Sequence, residues 1–313
     1  MNALLMPDAI GHAVALTGSH LLRRGRGRVR AGDRDLAIHL DRIVSAFERG
    51  FLTACRARDV ERVRIELGES APFLRGFAFE GAAMAAGLLD ALKPWTSARL
   101  PRLLAAAKEY VYLLHVGAGW ALARIGRVEG ARFARLDPVL KWLAIDGVGF
   151  HDGLMRDAPE PLDRRREGLS EYGARAYDQG LGRSLWFTAR MRPGDLESAI
   201  AAADPARHGD LWSGVGLACA YAGGVDAAQI RSLAAASAGS RAHFAQGVAF
   251  GAEAHMRPLG GVPPHTALAC GIVCGMSAES AAAFVTHAAA DLQPGASRPA
   301  YETWRARVRE RLS

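Results

Sequence analysis

Apolar residues recur three or four positions apart through much of the chain, which is the spacing that places side chains on one face of an α-helix. The clearest run consists of Leu103, Ala107, Tyr110, Leu114, Ala118, Ala121 and Ile125, and it predicts one long helix. The period-two alternation of strands is not sustained anywhere, and no Asn-Gly or Asp-Gly turn lies between β-branched runs. The pattern therefore predicts an all-α protein.

A short glycine motif recurs within these apolar stretches. It consists of a glycine, an apolar residue, a second glycine or alanine and, usually, a large side chain. Its copies begin at Gly76, Gly117, Gly147, Gly180, Gly214 and Gly247, with intervals of 41, 30, 33, 34 and 33 residues. Near-constant periods of this length are typical of repeat architectures, in which each repeat is one supersecondary unit.

Helix-capping residues support the same register. Ten positions before the later glycines stand Asp137, Ser170, Asp204 and Ser237, all side chains that cap helix N-termini. Breakers follow the glycine helices, and the alanine-rich runs 196–203 and 227–236 predict second helices. The sequence thus predicts an all-α array of about six helical-hairpin-like units with glycine-centred helices, an α/α repeat architecture. Residues 46–313 form its single domain, behind an arm and helix at residues 1–45.

Paired glycines need a reason, because each costs a helix interior about 0.5–1 kcal/mol relative to alanine. Without a Cβ atom, that face lets either a neighbouring helix or a bound guest approach closely. Tight helix packing is the simpler interpretation. If the glycines instead line a groove, the predicted substrate-binding residues are Gly147, Gly149, Gly180, Gly182, Trp186, Trp212, Gly214 and Gly216.

Composition changes this picture little. The formal charge of +7 comes from arginine, since Lys93, Lys108 and Lys141 are the only lysines. One basic cluster, from Arg23 to Arg30, suits either a solvated arm or contact with phosphates. It has no interleaved aromatic residues, so no nucleic-acid partner is predicted. Apolar segments do not reach the roughly 18 residues of a membrane span.

The cysteines point to a reducing compartment. Cys55, Cys219, Cys270 and Cys274 are too few for a disulfide framework in a chain of this length. Cys270 and Cys274 share a helix face, where they either pack or bind a soft metal, and packing is the usual role. We predict a cytoplasmic protein without a cofactor or metal, and the N-terminal apolar stretch does not resemble a cleaved signal peptide.

Familiar catalytic motifs are missing: no Gly-rich nucleotide loop, Walker A, HExxH or GxSxG sequence is present. His151 is the best candidate for a general base, with Asp152 beside it. Adjacent residues do not face each other on a helix, so we expect partners from other units. Arg183 either pairs with Asp178 or binds an anion. The predicted catalytic residues are therefore His151, Asp152 and Arg183, with a hydrogen-bonded core histidine as the alternative.

Further polar residues flank the glycine motifs. They would share a common surface if the units stacked in register. This set comprises Glu80, His115, Asp146, Gln179, Ser213, Gln246 and Glu253.

Four of these segments resemble a known family. Residues 115–121, 146–151, 177–187 and 211–224 are similar to domain of unknown function 1702. That family recurs in gene clusters for enediyne and related polyketides, and it brings no catalytic residue set. The resemblance implies either binding and conversion of an apolar polyene or enediyne intermediate, or a non-catalytic helical scaffold for a synthase or tailoring enzyme. A homo-oligomer is compatible with both.

Overall fold

The computed structural model describes residues 11, 14–15, 34–57, 59–92, 98–155, 162–189, 191–294 and 298–313. Every regular element in these ranges is helical, which confirms the all-α prediction. The long helices are α1 (Arg34–Arg56), α3 (Pro72–Leu92), α5 (Val111–Ile125), α7 (Lys141–Met155), α9 (Glu171–Thr188), α11 (His208–Tyr221) and α13 (Arg241–Leu259).

Shorter helices alternate with the long ones. They are α2 (Val60–Gly68), α4 (Arg99–Ala106), α6 (Ala131–Ala134), α8 (Leu162–Glu167), α10 (Pro193–Ala201) and α12 (Ala227–Ala236). The chain ends with α14 (Pro264–Ala269), a π-helical turn (Cys270–Cys274), α15 (Ala278–Ala288) and α16 (Ala300–Arg311).

Consecutive long helices pack side by side. In α7 and α9, Trp142 contacts Tyr172 near the helix starts, with ring centroids 4.9 Å apart. Near the helix ends, Gly153 lies against Ser184. Because the N-terminal parts of α7 and α9 contact each other and so do their C-terminal parts, the two helices run in the same direction. The connection that contains α8 therefore returns the chain from the end of α7 to the level at which α7 began.

The early helices also contact the late ones. The rings of Phe77 in α3 and Tyr221 in α11 are 5.1 Å apart, and those of Phe73 and His255 in α13 are 6.1 Å apart. His39 of α1 donates from Nε2 to the carbonyl of Ala222, at 2.7 Å. The row of long helices therefore curves back on itself, and its two ends are in contact.

Glycines form the seams between the long helices. A Cβ atom added to Gly147 would lie closer than 3.0 Å to the Val116 carbonyl of the preceding long helix. One added to Gly149 would meet the Tyr177 carbonyl of the next. Gly180 and Gly182, and Gly214 and Gly216, face backwards and forwards in the same way. Each glycine pair therefore packs against a helix on either side.

In α3 the seam glycine is Gly81, five residues after the predicted Gly76. A Cβ on Gly81 would meet the Phe47 carbonyl of α1, and one on Gly50 would meet the Ala78 carbonyl. Gly76 instead lies against the Tyr221 hydroxyl. Helix α1, outside the predicted set of copies, thus makes the same close contact.

The predicted caps are largely present. Ser170 caps α9 by accepting from Gly173 N, Asp204 caps the 3-10 turn before α11, and Asp137 accepts from the backbone N–H groups of Val139 and Leu140. Ser237 was wrongly predicted, because its hydroxyl donates backwards to a carbonyl of α12. The predicted second helices match α10 and α12.

The single helix predicted across residues 103–125 is wrong. It is interrupted between α4 and α5, where Ala107 leaves the helical region with φ −130° and ψ 54°. Leu103, Ala107, Tyr110 and Leu114 are all buried on both sides of this break. Both segments pack on the same core, so the apolar spacing continues while the backbone changes direction.

Two other predictions concern the chain's ends and surroundings. Helix α1 runs through the predicted boundary at residue 45, and the arginine cluster from Arg23 to Arg30 lies outside the described residues. In the described part, no helix taken singly has the length and apolar character of a membrane span. The pair Pro264–Cys274 and Ala278–Ala288, bent by 73°, reaches these criteria only in combination.

Candidate functional site

Arg183 lies in a buried ion pair with Asp146, rather than with the predicted Asp178. Its Nη1 donates to Asp146 Oδ1, while Gln179 Nε2 donates to Oδ2 at 2.7 Å. Arg183 is 4% exposed and stacks over the Phe150 ring, 4.6 Å from its centroid. Asp178 binds two other arginines. Arg183 therefore has its charge balanced within the protein.

This pair belongs to a larger buried polar network. Ser213 Oγ lies 3.1 Å from both Gln179 Oε1 and Gln246 Oε1, and Arg305 Nε donates to the same Gln246 oxygen. Gln179, Ser213 and Gln246 each stand immediately before a seam glycine, on three successive long helices. Arg305 belongs to α16. Part of the predicted polar set, namely Asp146, Gln179, Ser213 and Gln246, thus meets inside the protein, whereas Glu253 pairs with Arg257.

Glu80 completes this centre and carries a pH prediction. Burial raises the pKa of its carboxyl from 4.5 to about 7, with Arg183 opposing the rise. The folded state holds this proton more tightly, so stability is lost as the pH rises from 4.5 towards 7. We expect Glu80→Gln to stabilise the protein by about 2 kcal/mol more near pH 8 than near pH 5. Urea unfolding at both pH values measures this gap; equal effects would contradict it.

A small central cavity adjoins Arg183. It has a volume of about 30 Å³ and is lined largely by apolar and aromatic side chains, including Leu113, Phe250 and Trp304. A cavity of this size holds one or two water molecules. The centre of the protein is thus too small for an organic ligand.

His151 and Asp152 do face each other, contrary to the prediction. His151 Nδ1 lies 3.0 Å from Asp152 Oδ1. Partners from other units join them as predicted: Tyr177 donates its hydroxyl proton to Asp152 Oδ2 at 2.9 Å, and Arg165 Nε lies 3.2 Å from the same oxygen. Side-chain rotation lets adjacent helical residues meet when both are buried under a neighbouring helix.

Chemically, this is a histidine held in one orientation by a carboxylate. Burial lowers the pKa of His151, against the raising effect of Asp152. The Nε2 atom has no hydrogen-bond partner among the residues that the structure describes, and Trp120 packs edge-on at 5.4 Å. The arrangement suits a proton acceptor, but His151 lines neither the central cavity nor the cleft described below.

The predicted substrate-binding glycines lie in the helix seams, where neighbouring backbones occupy the space beside them. Trp186 is fully buried and donates from Nε1 to the Gly223 carbonyl at 3.1 Å. Trp212 packs against Phe244. A guest at these positions would have to separate packed helices, so packing accounts for them.

A larger opening than the central cavity lies between the end of α3, α4, the start of α5 and α6. This cleft has a volume of about 600 Å³, within the usual range for small-molecule sites. Its apolar wall comprises Leu100, Pro101, Leu104, Val111 and Leu136. Its volume is that of a site for an organic ligand, unlike that of the central cavity.

The cleft also has charged residues. Asp90 accepts from the backbone N–H groups of Arg99 and Leu100, and Asp137 likewise accepts from two backbone N–H groups. Arg132 and Arg135 are exposed at the same cleft. Both carboxylates are thus bound by the protein, whereas the guanidinium groups face solvent.

His115 forms the buried part of the cleft wall. It is 1% exposed, and its Nδ1 lies 2.7 Å from the Val111 carbonyl. The sequence had marked His115 only as one of several polar residues beside a glycine motif. Arg132 and Arg135 were missed, because their spacing within a short polar connection carries no motif.

The described residues include no group of three or more His, Cys, Asp or Glu side chains arranged to hold a metal ion. Of the paired cysteines, Cys270 is buried and Cys274 donates from Sγ to the Ala245 carbonyl at 3.5 Å. These contacts place both thiols in helix packing.

Fold and cleft together define an all-helical protein with a ligand-sized cleft beside a closed row of long helices. A family model described as protein of unknown function (DUF1702) matches residues 16–312, and the chain belongs to this family. The family predicted from four sequence segments is thereby confirmed. No curated protein and no solved structure matches the chain.

Proposed function

We propose that the protein binds an apolar small molecule in the cleft between α3, α4, α5 and α6. The observation that carries this proposal is the cleft itself, about 600 Å³ in volume and walled by aliphatic side chains. Burying apolar ligand surface there is favourable by about 25 cal/mol per Å². The charged groups at the cleft would orient the ligand.

Binding is proposed in preference to conversion. Within the described part of the chain, the histidine with an orienting carboxylate is His151, and it lines neither the cleft nor the central cavity. Arg183 is neutralised by Asp146 in the interior. His151 packs on Trp120 of α5, one of the helices that form the cleft, and Arg183 joins α9 to α7 through Asp146. Both residues thus have contacts inside the helix packing.

The ligand class follows from the family resemblance. We propose a polyene or enediyne polyketide intermediate, bound in the cytoplasm by an accessory protein of its biosynthesis. An array of glycine-seamed helical units would then serve as a rigid frame for the cleft. A conjugated chain is flat and apolar, which suits a cleft with aliphatic walls.

Filling the cleft tests the proposal. We expect Leu104→Trp to weaken binding of parinaric acid, a fluorescent polyene fatty acid, by about tenfold or more, because the indole occupies ligand volume. The matched control is Leu268→Trp, at an exposed leucine of α14 away from the cleft. Fluorescence titration measures affinity, and thermal unfolding confirms that both variants fold.

The same pair of variants tests the pathway. In a producing strain, Leu104→Trp should change the polyketide metabolite profile, and Leu268→Trp should not. Equal binding of parinaric acid by both variants would contradict the cleft as the site. If no polyene binds and the protein co-purifies with a synthase, the scaffold alternative would replace the proposal.

A further inference from the structure

The acidic and basic side chains of the cleft differ in their hydrogen-bond partners. Asp90 and Asp137 each accept two backbone hydrogen bonds at 2.9–3.0 Å. Arg132 and Arg135 make no side-chain hydrogen bond or ion pair with another described residue. Arg132 lies in α6 and Arg135 follows its last residue, and both line the same cleft. In the described part of the cleft, each carboxylate thus has hydrogen-bond partners in the protein, whereas neither guanidinium group has one.

His115 adds a second unsatisfied group inside the cleft wall. Its Nδ1 faces the Val111 carbonyl, which cannot donate, so Nδ1 carries the proton. In the neutral ring, Nε2 is then a hydrogen-bond acceptor, and it has no partner among the described residues. Burial lowers the pKa of His115, which favours this neutral form.

A buried acceptor without a partner costs stability. A ligand that donates a hydrogen bond to Nε2 removes this cost. Hydroxyl groups donate to a neutral imidazole nitrogen, whereas carboxylates and plain hydrocarbon chains cannot. The guanidinium groups, in contrast, bind a carboxylate through paired N–H donors.

We propose that the cleft binds an apolar hydroxy acid, with its carboxylate on Arg132 and Arg135 and its hydroxyl donating to His115 Nε2. This inference rests on the proposed function and names the ligand's polar groups. The aliphatic wall formed by Leu100, Leu104 and Val111 holds the chain between them.

The test for the carboxylate compares parinaric acid with its methyl ester. We expect the acid to bind about tenfold more tightly, since charge-assisted hydrogen bonds are worth this much or more. The double variant Arg132→Gln/Arg135→Gln should lose that preference and keep its affinity for the ester. Arg127→Gln/Arg231→Gln removes the same charge from exposed arginines outside the cleft and should behave like the parent.

The test for the hydroxyl uses competition against parinaric acid. Dodecanoic acids hydroxylated near the carboxyl group or at the far end of the chain are compared with dodecanoic acid itself. At least one hydroxylated acid should compete about fivefold better. His115→Asn, which retains a donor for Val111 and loses the acceptor, should abolish this advantage, whereas His115→Gln should preserve part of it.

The possible outcomes distinguish failure of the hydroxy-acid proposal from failure of the proposed function. Equal binding of acid and ester by the parent protein overturns the carboxylate assignment and leaves apolar binding intact. Equal competition by all the dodecanoic acids overturns the role of His115. If neither acid nor ester binds, the cleft is not a ligand site, and the proposed function fails with it. Thermal unfolding of each variant shows that lost binding is not lost folding.

Discussion

Gly180→Ala is expected to lower the free energy of unfolding by about 3 kcal/mol or more, although it adds a single methyl group. The new Cβ would fall well within 3.0 Å of the Asp146 carbonyl oxygen and close to the Phe150 backbone N. Both atoms belong to helix α7, so no side-chain rotation relieves the clash. The helices α7 and α9 must move apart, which also disturbs the polar network between them.

The matched control is Gly194→Ala in α10. A Cβ there meets nothing within 4 Å, and alanine favours helix formation. This variant should be neutral or up to about 1 kcal/mol more stable. Urea unfolding compares the two. Similar stabilities would show that the α7–α9 seam accommodates a side chain, and that the glycine there is not required for packing.

Arg183→Met is expected to destabilise the protein by about 3–5 kcal/mol, because it leaves the Asp146 carboxylate buried without its cation. Asp146 is fully buried, and among the described residues Gln179 is its other hydrogen-bond partner. The double variant Arg183→Met/Asp146→Leu should recover about 2 kcal/mol, since apolar side chains then replace both charges.

The exposed pair of Glu61 and Arg64 provides the control. Its atoms approach to 2.6 Å, but both side chains are largely in solvent. Arg64→Met should leave the unfolding curve unchanged, because exposed ion pairs contribute little. A double-mutant cycle on Arg183 and Asp146 yields their coupling energy. A coupling near zero would show that Arg183 is not held by this pair and would return it to the candidates for ligand binding.

The sequence was most informative where backbone geometry restricts residue type. Seam positions require a missing Cβ, so Gly147, Gly180 and Gly214 were recognisable from the sequence alone. The first copy was misplaced because Gly76-Phe77-Ala78-Phe79 and Gly81-Ala82-Ala83-Met84 both fit the motif. The interval from Gly81 to Gly117 is nearer to the common period, and that signal favours the correct register.

Side-chain partners were less predictable. Arg183 was assigned to Asp178 by sequence proximity, whereas the fold directs it across the seam to Asp146. The cleft could not be found because its wall joins residues from separate elements, such as Leu104, His115 and Leu136. The apolar residue types of a short connecting helix do not reveal whether they face the core or an opening.

Contact between the two ends of the row limits how this protein can change. Open helical repeat proteins gain or lose units because each unit touches only its neighbours. Here Phe77 of the second long helix packs on Tyr221 of the sixth, so an inserted or deleted unit would pull these partners out of register. Natural length variation should therefore fall in the short connections, and the number of long helices should stay fixed.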